Sequence, residues 1–308
     1  MAEAVILNNV VKIFGGNSEE RVTAVDYVSL MINKGEIFSL VGPDGAGKTT
    51  SIRMMCGILP LTEGSITLLG YDIKKQKSEI KKRIGYLSQR FSLYQDLTVD
   101  ENIDFFAEIH KVHKYKERKE ELLQFTRLVQ FRGRLAARLS GGMKQKLALA
   151  CTLVHTPDII FLDEPTTGVD PVSRRDFWKI LSSLLKSGIT IVVTTPYLDE
   201  AERSTRVALM NRGKILNCDT PEAIKTSFHS EVIELVCDEV RTASEVLQKA
   251  FERKNIQLFG DRLHILVKDA KANKADILQK LKEKHIEVRS YRIIPASLED
   301  VFISNLNI

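Results

Sequence analysis

LVGPDGAGKTT, residues 40–50, is a glycine-rich turn between an apolar run and a helix-forming one. Gly42, Gly47, Lys48 and Thr49 fill the fixed positions of G-x-x-x-x-G-K-[ST], with Pro43, Asp44, Gly45 and Ala46 between them. Glycines there let successive backbone N–H groups turn inward on a polyphosphate with no Cβ in the way. Residues 37–41 predict the strand that enters the turn, and Thr49 and Thr50 open a helix whose positive N-terminus faces the phosphates. Lys48 is expected to reach the outer phosphates and the Thr49 hydroxyl to ligate Mg²⁺.

The chain around this turn has 308 residues, room for about two domains. Its hydrophobic content of 44% and charged content of 28% are those of a globular protein with a core. No apolar run is long enough for a membrane span, and the N-terminus lacks the basic-then-apolar pattern of a secretory signal. Cys56, Cys151, Cys218 and Cys237 lie far apart without ligand spacing, which predicts buried free thiols in a reducing compartment. The net charge is +5. Its basic clusters at 74–83 and 111–119 read as solvated helix faces, with anionic lipid headgroups as the alternative. No basic motif is interleaved with aromatics, so nucleic acid is not an expected partner.

Upstream of the turn, residues 4–14 predict a strand, 15–18 its turn and 22–32 a returning strand. Phe14 is then two strands before the phosphate turn, and its ring is expected to stack on a nucleotide base. Downstream, residues 50–58 predict the phosphate-binding helix, 64–69 a strand, 84–88 another with Gln89 at its end, and 90–96 a loop. From 98 to 134 the period turns helical, with Val99, Ile103, Phe106, Ile109, Leu122, Phe125 and Leu128 as the apolar face.

Ser140, Gly141 and Gly142 precede a helix with apolar Leu147, Ala150, Cys151 and Val154, which makes a second potential phosphate-binding helix start. Residues 158–164, DIIFLDE, form a strand of the doubly buried type, ending in Asp163 and Glu164 where open α/β sheets bind ligands. One such acid can hold Mg²⁺ and the second can orient or deprotonate water. Asp170-Pro171 starts a helix running to about 186, 189–195 predicts a strand, 196–203 a helix and 207–216 a hairpin. Beyond Pro221 the order is β-α-β-β-α-β, from strand 231–236 through helices 242–253 and 271–284 to strand 286–294. That suggests a small ferredoxin-like layer, followed by a capped helix in which Leu298, Val301 and Phe302 face inward.

Taken together, these residues resemble the ATP-binding subunit of an ABC transporter over about the first two-thirds of the chain. GPDGAGKTT is similar to its Walker A loop, Gln89 to its Q-loop, LSGGMKQ to its signature, IIFLDE to its Walker B strand, and residues 168–170 to its D-loop. The ending PASLEDVF resembles the C-terminal extension of drug-export and ABC-2-type subunits. The resemblance implies an α/β fold of the P-loop NTPase, ABC type over residues 1–222, with a helical insertion at about 90–138. An α+β ferredoxin-like accessory domain would fill 223–308.

It also implies ATP and Mg²⁺ as cofactors, with the metal at Thr49, Gln89 and Asp163, and Glu164 as the base. The nucleotide would be closed over by Ser140, Gly141 and Gly142 of a second ATP-binding subunit, in a homo- or heterodimer. A separate membrane permease, reached through the insertion and the loop at 90–98, would place the chain peripherally on the cytoplasmic face of the cell membrane.

Two positions depart from the family pattern. Asp44 stands where asparagine is usual, which predicts modestly weaker nucleotide binding. Pro196 stands where a switch histidine is usual. As the first residue of a helix capped by Thr195 it should leave the fold intact, yet it cannot bond the γ-phosphate. None of His110, His113, His155, His229, His264 and His285 stands in for it, and His155 reads as structural. The expectation is an export ATPase with slow hydrolysis; the alternative is a non-hydrolysing, nucleotide-gated partner of a competent subunit. Soluble ABC proteins of translation or DNA repair carry tandem cassettes or long coiled coils, neither of which the sequence shows.

Overall fold

The computed structural model describes residues 2–15, 21–89 and 93–306. Contacts divide the chain into two units, Met1–Cys218 and Asp219–Ile308.

The first unit is built on a six-stranded sheet in the order Lys214–Asp219, Arg206–Asn211, Ile37–Val41, Thr190–Thr195, Ile159–Asp163, Ile84–Leu87. From Arg206–Asn211 across to Ile84–Leu87 the pairing is parallel. The three central strands are buried along their whole length, as near-continuous apolar runs require when both faces are covered. Ile160 and Leu162 point to one side, against Leu147, Phe177 and Leu181 of the helices Gly141–Leu153 and Pro171–Lys186. Ile159 and Phe161 point to the other, among Ile52 and Met55 of the helix Lys48–Met55 and Leu7 and Ile66 of a second sheet. That second sheet is four-stranded, ordered Val22–Asn33, Glu3–Phe14, Glu63–Leu68, Tyr71–Asp72.

Register brings the motifs together. Val41 lies beside Thr195 and Asp163 beside Thr194, while Leu87 pairs with Leu162 just before Gln89. The carboxyl ends of these strands therefore open on one edge of the sheet, where ligands bind in open α/β folds.

The helical stretch after residue 98 is two helices, Val99–Ile109 and Lys116–Thr126, separated by left-handed Lys111 and Lys114. Thr98 and Glu101 close a capping box at the first. Val99, Ile103, Leu122 and Leu128 are buried as the period requires, but Ile109 is 57% exposed because it is the last helical residue before the chain turns away. Residues 16–18 of the first turn and 90–92 of the loop at 90–98 lie outside the described residues.

The second unit has antiparallel strands in the order Ile256–Phe259, Arg262–Val267, Glu231–Cys237, Val288–Ile294. Helices Val240–Leu247 and Ala270–Lys282 bury Leu247, Ile277 and Leu281 against Ile233, Leu235, Leu263 and Ile265. The β-α-β-β-α-β order and this strand order are ferredoxin-like. The helix expected at 242–253 ends early, at Leu247, and a short helix Pro221–Thr226, capped by Thr220, precedes the unit's first strand. In the last helix, Leu298–Asn305, Ser297 and Asp300 form a capping box, and Leu298, Val301 and Phe302 are buried. Asp300 also accepts from His264 Nδ1 at 2.8 Å. None of the four cysteines forms a disulfide; Cys56, Cys151 and Cys237 are buried as expected, whereas Cys218 is half-buried beside Arg206. No helix among the described residues is long and apolar enough to cross a membrane.

Candidate functional site

At the shared strand edge a cleft of about 600 Å³ is lined by residues 22–24 and 44–50 together with Gln89, Glu164 and Arg212. The turn enters from the strand Ile37–Val41 and leaves into the helix Lys48–Met55, with Gly47 left-handed at φ 105° as the residue before the helix. A side chain at Gly47 would run into the carbonyl of Ala24, so the close approach of strand and turn requires glycine. The hairpin holds the turn from below: Gly213 N–H donates to the Ala46 carbonyl at 2.9 Å.

Lys48 is buried and curls back over the turn, donating to the carbonyls of Gly42 at 2.8 Å and Pro43 at 3.0 Å. Its ammonium is also 3.2 Å from Glu164 Oε1. Gln89 Nε2 donates to Glu164 Oε2 at 2.9 Å. Asp163 is fully buried, and a buried carboxylate demands donors. It takes the hydroxyls of Thr49 and Thr194, both at 2.9 Å on Oδ1. Glu164 has left-handed backbone, φ 48°, fixed by its N–H to Thr194 Oγ1 at 2.9 Å.

The cleft suits a nucleoside polyphosphate: its volume is within the range of about 300–1,000 Å³ usual for small-molecule sites. The Lys48 ammonium and the first N–H groups of the helix supply positive charge. The described residues contain no cluster of three or more His, Cys, Asp or Glu able to hold a metal alone. The meeting of Thr49 and Asp163 instead fits Mg²⁺, which keeps waters and phosphate oxygens around one or two protein groups.

Of the residues anticipated from sequence, the structure gathers 44–50, Gln89 and Glu164 at the cleft wall, with Asp163 behind Thr49. Gly42 and Pro43 hold Lys48 by their carbonyls. Asp44 is exposed. Phe14 ends its strand opposite Val22, is 41% exposed and carries the Lys12 ammonium 5.0 Å from its ring centre; Val22, not Phe14, lines the cleft. Ser140, Gly141 and Gly142 are also away from it. Ser140 caps the helix Gly141–Leu153 by accepting from Met143 N–H. A side chain on Gly142 would strike Ser173, whereas one on Gly141 would meet open space.

The segment at Pro196 differs from expectation. Pro196 does not begin the helix and Thr195 does not cap it; the helix is Leu198–Ala201, with Tyr197 before it. Thr195 Oγ1 accepts from Tyr197 N–H at 3.0 Å, which keeps residues 195–197 in a side-chain-closed turn outside the helix. The Thr195 hydroxyl donates to Glu200, a buried carboxylate that the sequence reading passed over. Burial pushes that carboxyl upward, against hydrogen bonds from Thr166 and Thr195 and the charge of Arg174. Its signal in sequence is only a Glu on a short helix, and its partners Thr166 and Arg174 are distant along the chain.

His155 is structural: Nε2 donates to the Ile84 carbonyl at 2.9 Å, and its ring stacks on His110 at 3.9 Å. Both rings border an apolar cavity of about 290 Å³ with Leu87, Leu93 and Phe106, beside the strand that leads to Gln89.

Comparison with known proteins gives the chain's relatives. Residues 25–167 match the ABC transporter family, and residues 220–305 match the C-terminal domain of DrrA1-3-like ATP-binding proteins. The chain is 32% identical over 308 residues to the daunorubicin/doxorubicin resistance ATP-binding protein DrrA of Streptomyces peucetius, an alignment covering 98% of this chain and 92% of that one. It is 43% identical over 204 residues to the probable multidrug ABC transporter ATP-binding protein YbhF of Escherichia coli. That alignment covers 66% of this chain but only 35% of the relative, so the chain spans about a third of that protein's length. Among solved structures, an ATP-binding cassette dimer in a post-hydrolysis state with ADP and Pi is similar at a TM-score of 0.63 and 29% identity. It covers 70% of this chain and 98% of that one.

Proposed function

From the chain's membership of the ABC transporter ATP-binding family, whose domains hydrolyse ATP, we propose that this protein is the ATP-binding subunit of an exporter and drives a separate membrane permease. The observation that carries the reading is the convergence of Lys48, Thr49, Gln89, Asp163 and Glu164 on one cleft. When bound, Mg²⁺ supplies charge neutralisation to the phosphates, next to Thr49, Asp163 and Gln89. Lys48 pairs with the outer phosphates, Glu164 accepts the proton of the attacking water, and Gln89 orients Glu164.

Ser140, Gly141 and Gly142, which do not line their own cleft, serve that of a second ATP-binding subunit. Phe14, with Lys12 over its ring, offers an aromatic face to the adenine once the nucleotide is seated. The apolar cavity beside Gln89 and the insertion gives the permease a surface tied to the site. Asp44 adds negative charge at the cleft and weakens binding modestly.

Hydrolysis is slow in this reading. Among the described residues at the end of the strand Thr190–Thr195, Pro196 offers no donor to the transferring phosphoryl group. A second reading, a non-hydrolysing nucleotide-gated partner, is favoured by Pro196 and opposed by the intact pairing of Glu164 with Gln89 and Lys48. ATPase rates of the purified full chain and its Pro196→His variant test this. The variant is expected to be about 10²- to 10³-fold faster, the usual value of one preorganised donor. Equal rates in the two, or turnover unaffected by Glu164→Gln, would count against it.

A further inference from the structure

We propose that Glu200, backed by Arg174, is a positioning residue for hydrolysis: it clamps Thr166 and so holds the backbone of Glu164 in its working conformation. The inference rests on the reading of Glu164 as the base. A glutamate at φ 48° occupies a region that side chains adopt only where their neighbours over-determine it. On the upstream side the restraint is plain. Asp163 is locked by Thr49 and Thr194, and the Glu164 N–H bonds both the hydroxyl of Thr194 at 2.9 Å and its carbonyl at 3.2 Å.

On the downstream side Thr167 N–H closes a turn onto the Glu164 carbonyl at 3.3 Å, and Glu200 anchors Thr166 inside that turn. Thr166, two residues after Glu164 and itself buried, donates its hydroxyl to Glu200 Oε2 at 2.8 Å. The same oxygen accepts from Thr195 at 2.9 Å, the residue immediately before Pro196. The other oxygen faces Arg174 Nε at 3.2 Å without an aligned hydrogen bond, so Arg174 contributes charge more than direction. The Arg174 guanidinium in turn lies 4.2 Å from the ring centre of Tyr197, the residue immediately after Pro196.

One carboxylate, 1% exposed, thus ties together the segment behind Glu164, the turn around Pro196 and the helix that begins after Asp170. A histidine at 196 would restrain the site from the substrate side. With proline there, this segment restrains the site from behind, through Thr194 directly and through Thr195 and Glu200. A hub of purely architectural value would affect folding and ATP binding alike; a positioning role changes the rate and spares affinity.

Thr166→Val removes the hydroxyl at nearly constant volume, and Thr166→Ser keeps it. Each is made in the full chain, in the natural background and with Pro196→His, and assayed for ATPase rate, ATP affinity and Tm. Thr166→Val is expected to lower kcat about 10- to 100-fold, the usual cost of a misplaced catalytic group, with ATP affinity unchanged. Thr166→Ser is expected to restore the rate. Glu200→Gln keeps an acceptor for the hydroxyls but sets an amide against Arg174, and is expected to show the same split to a smaller degree. A natural rate in Thr166→Val overturns the inference alone, as does a loss of rate in step with affinity and Tm. Turnover that survives Glu164→Gln in either background overturns the reading of Glu164 as base, and this inference with it.

Discussion

Replacing Glu164 with glutamine should move ATP affinity and ATP turnover in opposite directions. In the structure Lys48 is shared between two turn carbonyls and Glu164 Oε1 at 3.2 Å, with both charged groups buried. For the ammonium to take a phosphate, its bond to Glu164 must be exchanged. The amide of the variant would keep an oxygen there but lose the charge. Lys48 keeps its charge in the variant, so only the ionic part of this pair is lost, and about 1 kcal/mol, the upper end for an ion pair in solvent, is a working figure for how much more easily Lys48 is released. That corresponds to binding about 5-fold tighter. The same substitution removes the base, a loss of about 10²- to 10⁴-fold in rate. Displacement of a fluorescent nucleotide by ATP in the presence of Mg²⁺ reads the first, and phosphate release the second. Weaker ATP binding by the variant, or turnover near that of the natural chain, would refute the reasoning.

Two further outcomes can be checked. Gly141→Ala fits open space, so its Tm should stay unchanged, while hydrolysis falls because the new methyl group enters the neighbouring subunit's nucleotide site; unchanged hydrolysis would remove Gly141 from that role. Burial holds His110 below the usual imidazole range, and burial followed by the charge of His110 does the same for His155. The folded state therefore favours neutral rings. The stability they contribute is present above the ordinary imidazole pKa of about 6.5 and is lost as pH falls below it toward the depressed values. Thermal melts across that window should show Tm falling on acidification, with a flatter profile in His110→Asn; identical profiles would contradict the assignment.

The candidate cleft was legible because the residues that line it are largely local in sequence. Gly42 to Thr49 must be contiguous to wrap a phosphate, and 159–162 must be apolar on both faces to lie inside a parallel sheet. Register then needed only the right strand order to bring Asp163, Thr194 and Val41 to one edge. The second unit was legible for a similar reason, since strand and helix periods alternate with clear turns. The break at Lys111 and Lys114 was hidden because lysine, not glycine, adopts the left-handed turn. The helix after Pro196 was misplaced because Thr195 bonds Tyr197 N–H and Glu200, a choice set by tertiary partners. Glu200 itself was invisible: its partners Thr166 and Arg174 belong to other segments of the chain, and only the fold brings them together.

The central claim, that the turn at 42–49 is a working ATP site centred on Lys48, is tested most directly by equilibrium binding of Mg²⁺-ATP to the full chain and to Lys48→Ala. The account predicts saturable binding by the natural chain and its loss in the variant, with far-ultraviolet circular dichroism showing both folded. Equal affinity in the two proteins would contradict it.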